Sequence, residues 1–172
     1  MDKHTDCSIS FSGDAISGAG FTASPNWLDP STVGKNIPLL GGRSTYAGSE
    51  NPLTYSGNYT YSYIPTMLTD YPAIGHDRRY DNLGISGKSG LFLDTRSIGA
   101  DWKFVSEELS FAFNPYFDPT TRINAGALGV GLGFFVLPKT IYQLSKPDGY
   151  VEMMYWFNAS NIGVTNAPRT NR

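Results

Sequence analysis

The sequence predicts a mainly α fold with minor β structure. Capping residues and helical spacing of apolar residues mark three stretches, and we expect helices over 70–82, 98–113 and 119–137. The first 62 residues are instead rich in Gly, Ser, Thr, Asn and Tyr, which favours loops and short strands. The expected architecture is therefore a set of helices behind a loop-rich N-terminal half.

The first two predicted helices have clear signals at their ends. Asp70 is the expected N-cap of the first, which should end before Gly84. Ser97 is the expected cap of the second, and Asn114 followed by Pro115 should end it. Between them, the connection should contain a short strand over 91–93.

The third predicted helix begins with Asp118 as its cap and Pro119 in its first turn, and Pro138 should kink or end it. Segment 150–157 is interpreted as a strand or a short amphipathic segment. We divide the chain into a loop-rich N-terminal segment, a core and a C-terminal extension, with bounds at 1–45, 46–145 and 146–172.

The composition excludes several classes of protein. The formal net charge is −2, so the basic surface that nucleic-acid binding needs is absent. A single cysteine excludes an internal disulfide and a Cys-rich zinc site. The first residues lack the apolar run of a signal peptide. We therefore expect a protein that stays inside the cell, is delivered by another route, or was cut from a larger exported protein.

The two histidines, His4 and His76, focus attention on the first predicted helix. Helical spacing puts His76, Asp77 and Tyr80 on one face with Ala73. An inward face with ionisable groups is unusual, because such groups need partners or a metal when buried. Simpler roles remain open. Asp77 could pair with an arginine nearby, and Asp101, in the first turn of the second predicted helix, could merely stabilise that helix.

Three strings together resemble the phospholipase A2 superfamily. YPAIGHDRRYD matches a helix with His-Asp-x-x-Tyr, and GADWKF matches the Ala-Asp-x-x-Phe of a second, antiparallel helix. Upstream, YAGSENPL over 46–53 is similar to the Tyr-x-Gly-x-x-Asn-Pro/Ser-Leu calcium loop of the parvovirus-capsid type. The resemblance covers about 46–113, and Glu50 departs from the small residue of the family loop. The Gly-rich start and LGISGKSGLF resemble toxin domains of bacterial polymorphic-toxin proteins.

This resemblance implies a phospholipase A2-like fold, with two antiparallel catalytic helices in the core, and calcium-dependent hydrolysis of the sn-2 acyl ester of glycerophospholipids. His76 would be the general base for water, Asp101 would orient the imidazole, and Tyr80 would donate to Asp101. The implied Ca²⁺ ligands are the carboxylate of Asp77 and the backbone carbonyls of Tyr46, Gly48 and Glu50. Residues 40–42 are a rival calcium loop.

The implied partner is a phospholipid membrane surface, as for a toxin or effector that is secreted or delivered to a target cell. An antagonist protein that plugs the cleft would follow from that role. Two other classes remain open: a catalytically silent lipid- or receptor-binding module of the same fold, and a structural or assembly domain. The absence of a G-x-S-x-G string disfavours a serine lipase, and the shortage of histidines disfavours a metal phosphohydrolase.

Overall fold

A computed structural model describes residues 38–48, 61, 63–85 and 87–167. The described chain is mainly helical, which confirms the predicted class. Its elements are β1 (Pro38–Leu39), β2 (Gly42–Arg43), α1 (Asp70–Leu83), α2 (Gly87–Phe92), a 3₁₀ turn (Thr95–Ser97), α3 (Ile98–Phe113), α4 (Pro119–Leu144) and α5 (Gly149–Ser160). The two strands are antiparallel, with Leu39 opposite Gly42.

Helix α3 contacts each of the other long helices. It packs most extensively along α4 and also against α1 and α5. Gly129 permits the close approach of α4, because a Cβ there would lie 3.2 Å from side-chain atoms of Leu109. The apolar core consists of small clusters, the largest of which joins the loop at Tyr46 to Ile74 of α1 and Phe104 of α3.

Most predicted helix ends agree closely with the structure. Helix α1 ends at Leu83 and is capped by Gly84, whose φ of 62° is a left-handed conformation that favours glycine. Helix α3 has the predicted bounds. Helix α4 begins at Pro119, and the Asp118 carboxylate caps it by accepting from the Thr121 N–H.

Other local predictions are corrected, two of them in part. Pro138 was predicted to kink or end its helix, and the second effect is excluded, because buried residues on both sides of the proline keep α4 packed as far as Leu144. Segment 91–93 is not a strand: α2 extends to Phe92, whose ring packs edge-on against Phe135 of α4. Segment 150–157 lies within helix α5, which excludes the strand among its two interpretations. Short apolar runs fit either kind of element until their packing is known.

The segment that follows α5 covers one side of α1. Arg78 and Arg79 of α1 are both buried beneath this segment. The Arg78 guanidinium donates to the Thr165 carbonyl at 2.7 Å, and Arg79 Nε donates to Asn161 Oδ1 at 2.9 Å. The C-terminal part of the described chain therefore helps to fix the helix that carries His76.

Helix α4 is long and apolar enough to cross a membrane, by length and composition. It has 26 residues, with a mean hydropathy of 1.4 in a window that is only 22% buried. A soluble core helix would bury most of such a window, whereas α4 exposes large apolar side chains. The most exposed of them are Phe134 and Ile141.

Candidate functional site

Helices α1 and α3 bring the predicted catalytic residues into one hydrogen-bond network. His76 Nε2 lies 2.9 Å from Asp101 Oδ1, with 15% of the imidazole and none of the carboxylate exposed. The Tyr80 hydroxyl donates to the same carboxylate oxygen at 2.7 Å. Helical spacing put His76 and Tyr80 on one face of α1, and the packing of α3 supplies the carboxylate they share.

Two aromatic rings fix the imidazole of His76. The ring centroid of Tyr80 lies 4.4 Å from it, and that of Phe104 lies 5.2 Å away in an edge-on arrangement. Phe104 is one turn beyond Asp101 on α3, at the phenylalanine of the Ala-Asp-x-x-Phe string. The imidazole is therefore oriented by ring packing as well as by its hydrogen bond.

The second oxygen of Asp101 has partners that the sequence interpretation missed. Lys139 Nζ lies 2.7 Å from Asp101 Oδ2, and the Ser97 hydroxyl donates to the same oxygen at 2.9 Å. Ser97 occupies the predicted cap position of α3, but its side chain makes no capping hydrogen bond. A signal for Lys139 was present, since it is the sole charged residue between Arg122 and Lys146.

The electrostatics of the network favour an ionised Asp101. Burial opposes ionisation, but the hydrogen bond and charge of His76, together with Lys139, hold the pKa of Asp101 below its usual range. Burial by itself lowers the pKa of His76, yet its hydrogen bonds to Asp101 and Asp77 raise that pKa to about 9. Burial, reinforced by Asp101, raises the pKa of Tyr80, which stays a hydroxyl donor.

Asp77 lies beside the other nitrogen of the imidazole. Its Oδ1 is 3.4 Å from His76 Nδ1, while its Oδ2 is buried and has no hydrogen-bond partner among the residues that the structure describes. Burial raises the pKa of Asp77 to about 6, against the lowering effect of His76. A buried carboxylate oxygen without a partner is a group that a bound cation would satisfy.

Asp70 anchors the loop that precedes α1, which corrects its predicted role as a helix cap. Thr69 holds the N-cap position, and Asp70 is the first residue of the helix. The Asp70 carboxylate is fully buried and accepts from the backbone N–H of Tyr46 at 2.9 Å and from the Ser44 hydroxyl. It also accepts from the N–H of Met67 at 2.9 Å. This long-range bonding outweighs a local cap.

The predicted calcium-loop residues that the structure describes lie on this anchored loop. Gly48 has a φ of 127°, a conformation that favours glycine. The Tyr46 hydroxyl donates to the Tyr63 carbonyl at 2.7 Å. Burial and the charge of Asp70 raise the pKa of Tyr46. Glu50 and residues 51–53 lie outside the described residues.

The rival loop at 40–42 is the turn between β1 and β2. The Leu40 N–H donates to Asn124 Oδ1, and Asn124 Nδ2 donates back to the Leu40 carbonyl, both at 2.9 Å. Asn124 of α4 therefore ties this turn to the helical core through the backbone of Leu40.

The Oδ2 of Asp77, unpartnered within the described chain, fits a cation such as Ca²⁺, which binds carboxylate oxygens. In the part of the chain that the structure describes, no group of three or more His, Cys, Asp or Glu side chains could hold a metal ion. A cation at Asp77 would therefore need backbone carbonyls as well, and Ca²⁺ accepts such a mixed oxygen set. The family resemblance implies that the carbonyls of Tyr46 and Gly48 would join Asp77 in this set.

The whole arrangement is an imidazole between two carboxylates, next to a loop that a third carboxylate anchors. An imidazole whose Nε2 donates to a buried carboxylate can accept a proton at Nδ1 and share the resulting charge. Comparisons of this chain with family models, curated proteins and solved structures found no match.

Proposed function

We propose that the chain is a calcium-dependent phospholipase of the A2 type, which hydrolyses the sn-2 acyl ester of glycerophospholipids. The observation that supports this most directly is the 2.9 Å contact between His76 Nε2 and Asp101 Oδ1, with Tyr80 on the same oxygen. With Nε2 on the carboxylate, Nδ1 is the nitrogen that remains for a water molecule. Ester hydrolysis by water requires such a base.

In the reaction, His76 Nδ1 takes a proton from water while the water oxygen attacks the ester carbonyl carbon. Asp101 stabilises the imidazolium through Nε2. The bond between the carbonyl carbon and the glycerol oxygen then breaks, and His76 returns the proton to that oxygen, which releases a fatty acid and a lysophospholipid. Calcium, when bound, polarises the ester carbonyl and stabilises negative charge on its oxygen.

The position of Asp77 gives it two roles in this proposal. Its hydrogen bond and charge contribute to the high pKa of His76, and a protonated imidazole is not a base. In its second role, the Asp77 carboxylate would hold the calcium ion, whose positive charge would polarise the ester carbonyl.

The proposal is tested by mass spectrometry of the lipids in vesicles incubated with the protein. We expect equal amounts of free fatty acid and lysophospholipid in the presence of Ca²⁺ and neither product with a chelator. Vesicle binding without any product would favour the silent lipid-binding module instead. A large stable oligomer whose size does not change when the chelator is added would favour an assembly domain.

Asp77→Asn should weaken Ca²⁺ binding at least tenfold, about 1.4 kcal/mol or more, because the carboxylate is the sole charged ligand proposed. Isothermal titration calorimetry with CaCl₂ measures this. Asp81→Asn is a matched control, since it removes one negative charge from the same helix at an exposed position. Equal affinities for the two variants would show that the ion binds elsewhere.

A phospholipid membrane is the partner we propose for the exposed face of α4. Phe134 is 74% exposed and Ile141 is 63% exposed. Lys139, the one charged residue over 123–145, is buried, so this part of the helix presents no charged side chain to its surroundings. An uncharged apolar surface of this length suits the acyl region of a bilayer.

Replacing Phe134 and Ile141 together by Ser should weaken binding to phosphatidylcholine vesicles roughly tenfold or more, since each apolar side chain contributes about 1.5–3 kcal/mol when fully buried. Vesicle flotation measures the bound fraction. Ile162→Ser is the control, because Ile162 is 75% exposed in the turn after α5. If the control weakens binding as much as the double variant, α4 is not the lipid-binding face.

The resemblance to the phospholipase A2 superfamily and to bacterial polymorphic-toxin domains supports a toxin or effector domain that is secreted or delivered to a target cell. Its substrate would be the membrane of that cell, and a cognate antagonist protein would protect the producing cell by covering the catalytic residues. The low net charge of −2 agrees with a lipid rather than a nucleic acid as the target.

A further inference from the structure

Lys139 is buried inside the helical core although it follows an apolar run. It is 5% exposed. Its ammonium group has three acceptors: Asp101 Oδ2 at 2.7 Å, Ser97 Oγ at 2.7 Å and the Gly90 carbonyl at 3.0 Å. An ammonium has three N–H donors, so these contacts satisfy it completely. A lysine is costly to bury, and a full set of partners makes this one specific.

The two oxygens of Asp101 serve different elements. Oδ1 accepts from His76 and Tyr80 of α1, whereas Oδ2 accepts from Lys139 of α4 and Ser97 at the start of α3. Rotation of the carboxylate would break contacts on both sides at once. The ammonium on Oδ2 therefore fixes the orientation of the carboxylate, and with it the hydrogen bond between Oδ1 and His76 Nε2.

We propose that Lys139 is a positioning residue of this site, which holds the Asp101 carboxylate so that Oδ1 faces His76 Nε2. Its charge also makes the buried carboxylate half of a neutral pair, so an ionised Asp101 is stable in the core. Lys139 does not contact His76, and it acts through Asp101. The consequence for catalysis rests on the proposed function, whereas the consequence for the geometry of the imidazole does not.

The kinetic test is Lys139→Met, which removes the ammonium and keeps the length of the side chain. We expect kcat for fatty-acid release to fall roughly 10- to 100-fold, the usual effect of losing a partner that orients a working side chain. KM should change less than about twofold, because Lys139 is not placed to touch substrate. Lys146→Met is the matched control, a lysine just beyond the end of α4, and should leave both constants unchanged.

A double-mutant cycle separates positioning from mere structural support. Lys139→Met should cause no further loss of kcat when Asp101 is already Asn, because the group that the lysine positions has lost its charge. A purely structural role would lower kcat by the same factor in both backgrounds. The double variant has neither the buried carboxylate nor the buried ammonium, whereas Asp101→Asn alone leaves the ammonium without a counter-charge. We therefore expect the double variant to be more stable than Asp101→Asn.

Proton NMR gives a readout that needs no activity. The chain has two histidines, so a downfield, slowly exchanging ring N–H signal can be assigned to His76 by its loss in His76→Asn. We expect Lys139→Met to shift or broaden this signal and Lys146→Met to leave it. An unchanged signal together with an unchanged kcat would overturn the proposal. If the wild type releases no fatty acid, the proposed function fails, and this signal still decides the role of Lys139.

A second substitution covers the case in which the methionine variant does not fold. Lys139→Gln retains an amide donor for Asp101 Oδ2 without the charge, and we expect a smaller shift of the His76 signal and a smaller fall in kcat. Wild-type values for folded Lys139→Gln in both measurements would likewise overturn the proposal.

Discussion

His76→Ala should abolish measurable release of fatty acid from phospholipid vesicles. Loss of a general base lowers a rate by roughly 10²- to 10⁴-fold, and in this chain no second histidine lies in the described site. Asp101 would keep its hydrogen bonds from Tyr80, Ser97 and Lys139, so we expect the fold to persist. Lipid mass spectrometry measures the product, and thermal denaturation checks the fold.

The chain supplies its own control for this experiment, since His4 is the other histidine. His4→Ala should retain the wild-type rate. Release by His76→Ala at more than a tenth of the wild-type rate would remove His76 from the mechanism, even though its contact with Asp101 would remain a structural fact.

Glu108→Gln should stabilise the protein, and the gain should grow with pH. Glu108 is fully buried on α3, and both carboxylate oxygens have no hydrogen-bond partner within the described ranges. Burial, followed by the charges of Asp70 and Glu107, raises its pKa from an ordinary value of 4.5 to about 9. Between those values the folded chain holds a proton that the unfolded chain has released. Stability is therefore lost as pH rises from 4.5 to about 9.

The amide of Glu108→Gln has no such proton, so the loss disappears. We expect its free energy of unfolding to exceed that of the wild type by about 1–3 kcal/mol near pH 7 to 8, and by little near pH 5. Urea denaturation at several pH values measures the difference. Glu107→Gln is the neighbouring control. It loses contacts with Lys103 at 3.4 Å and Arg79 at 3.6 Å, and so should be slightly destabilising.

A stability difference that does not vary with pH would contradict this interpretation of Glu108. So would a Gln variant that is less stable than the wild type at pH 8, because it would show that the carboxyl group has a favourable partner in the folded state. Neither result would bear on the proposed catalytic role of His76.

Local signals predicted the helices well because capping, proline and glycine act within a few residues. The bounds of α3 and the start of α4 at Pro119 were predicted from such signals. Pro138 shows their limit, since packing of the residues around it keeps α4 helical to Leu144. The residues next to Pro138 do not by themselves predict how strongly the helix is packed.

The candidate site divides in the same way. Helical spacing and the family resemblance were enough to group His76, Asp101 and Tyr80, and the structure brings these side chains together. The sequence did not predict Lys139 as part of the site, because its partner Asp101 lies on another helix. Only the packing of α4 on α3 brings the two side chains together. Asp70 was assigned to a local cap for the same reason, although its main partners lie on the preceding loop.

The hydrogen bonds between α1 and the segment after α5 have a practical consequence. Arg78 donates to Thr165 and Arg79 donates to Asn161, so the far end of the described chain is joined to the helix that carries His76. Trimming that end removes acceptors from two buried guanidinium groups at once, which is costly in a protein interior. A truncation that removes Asn161 and Thr165 would therefore disturb the site from a distance.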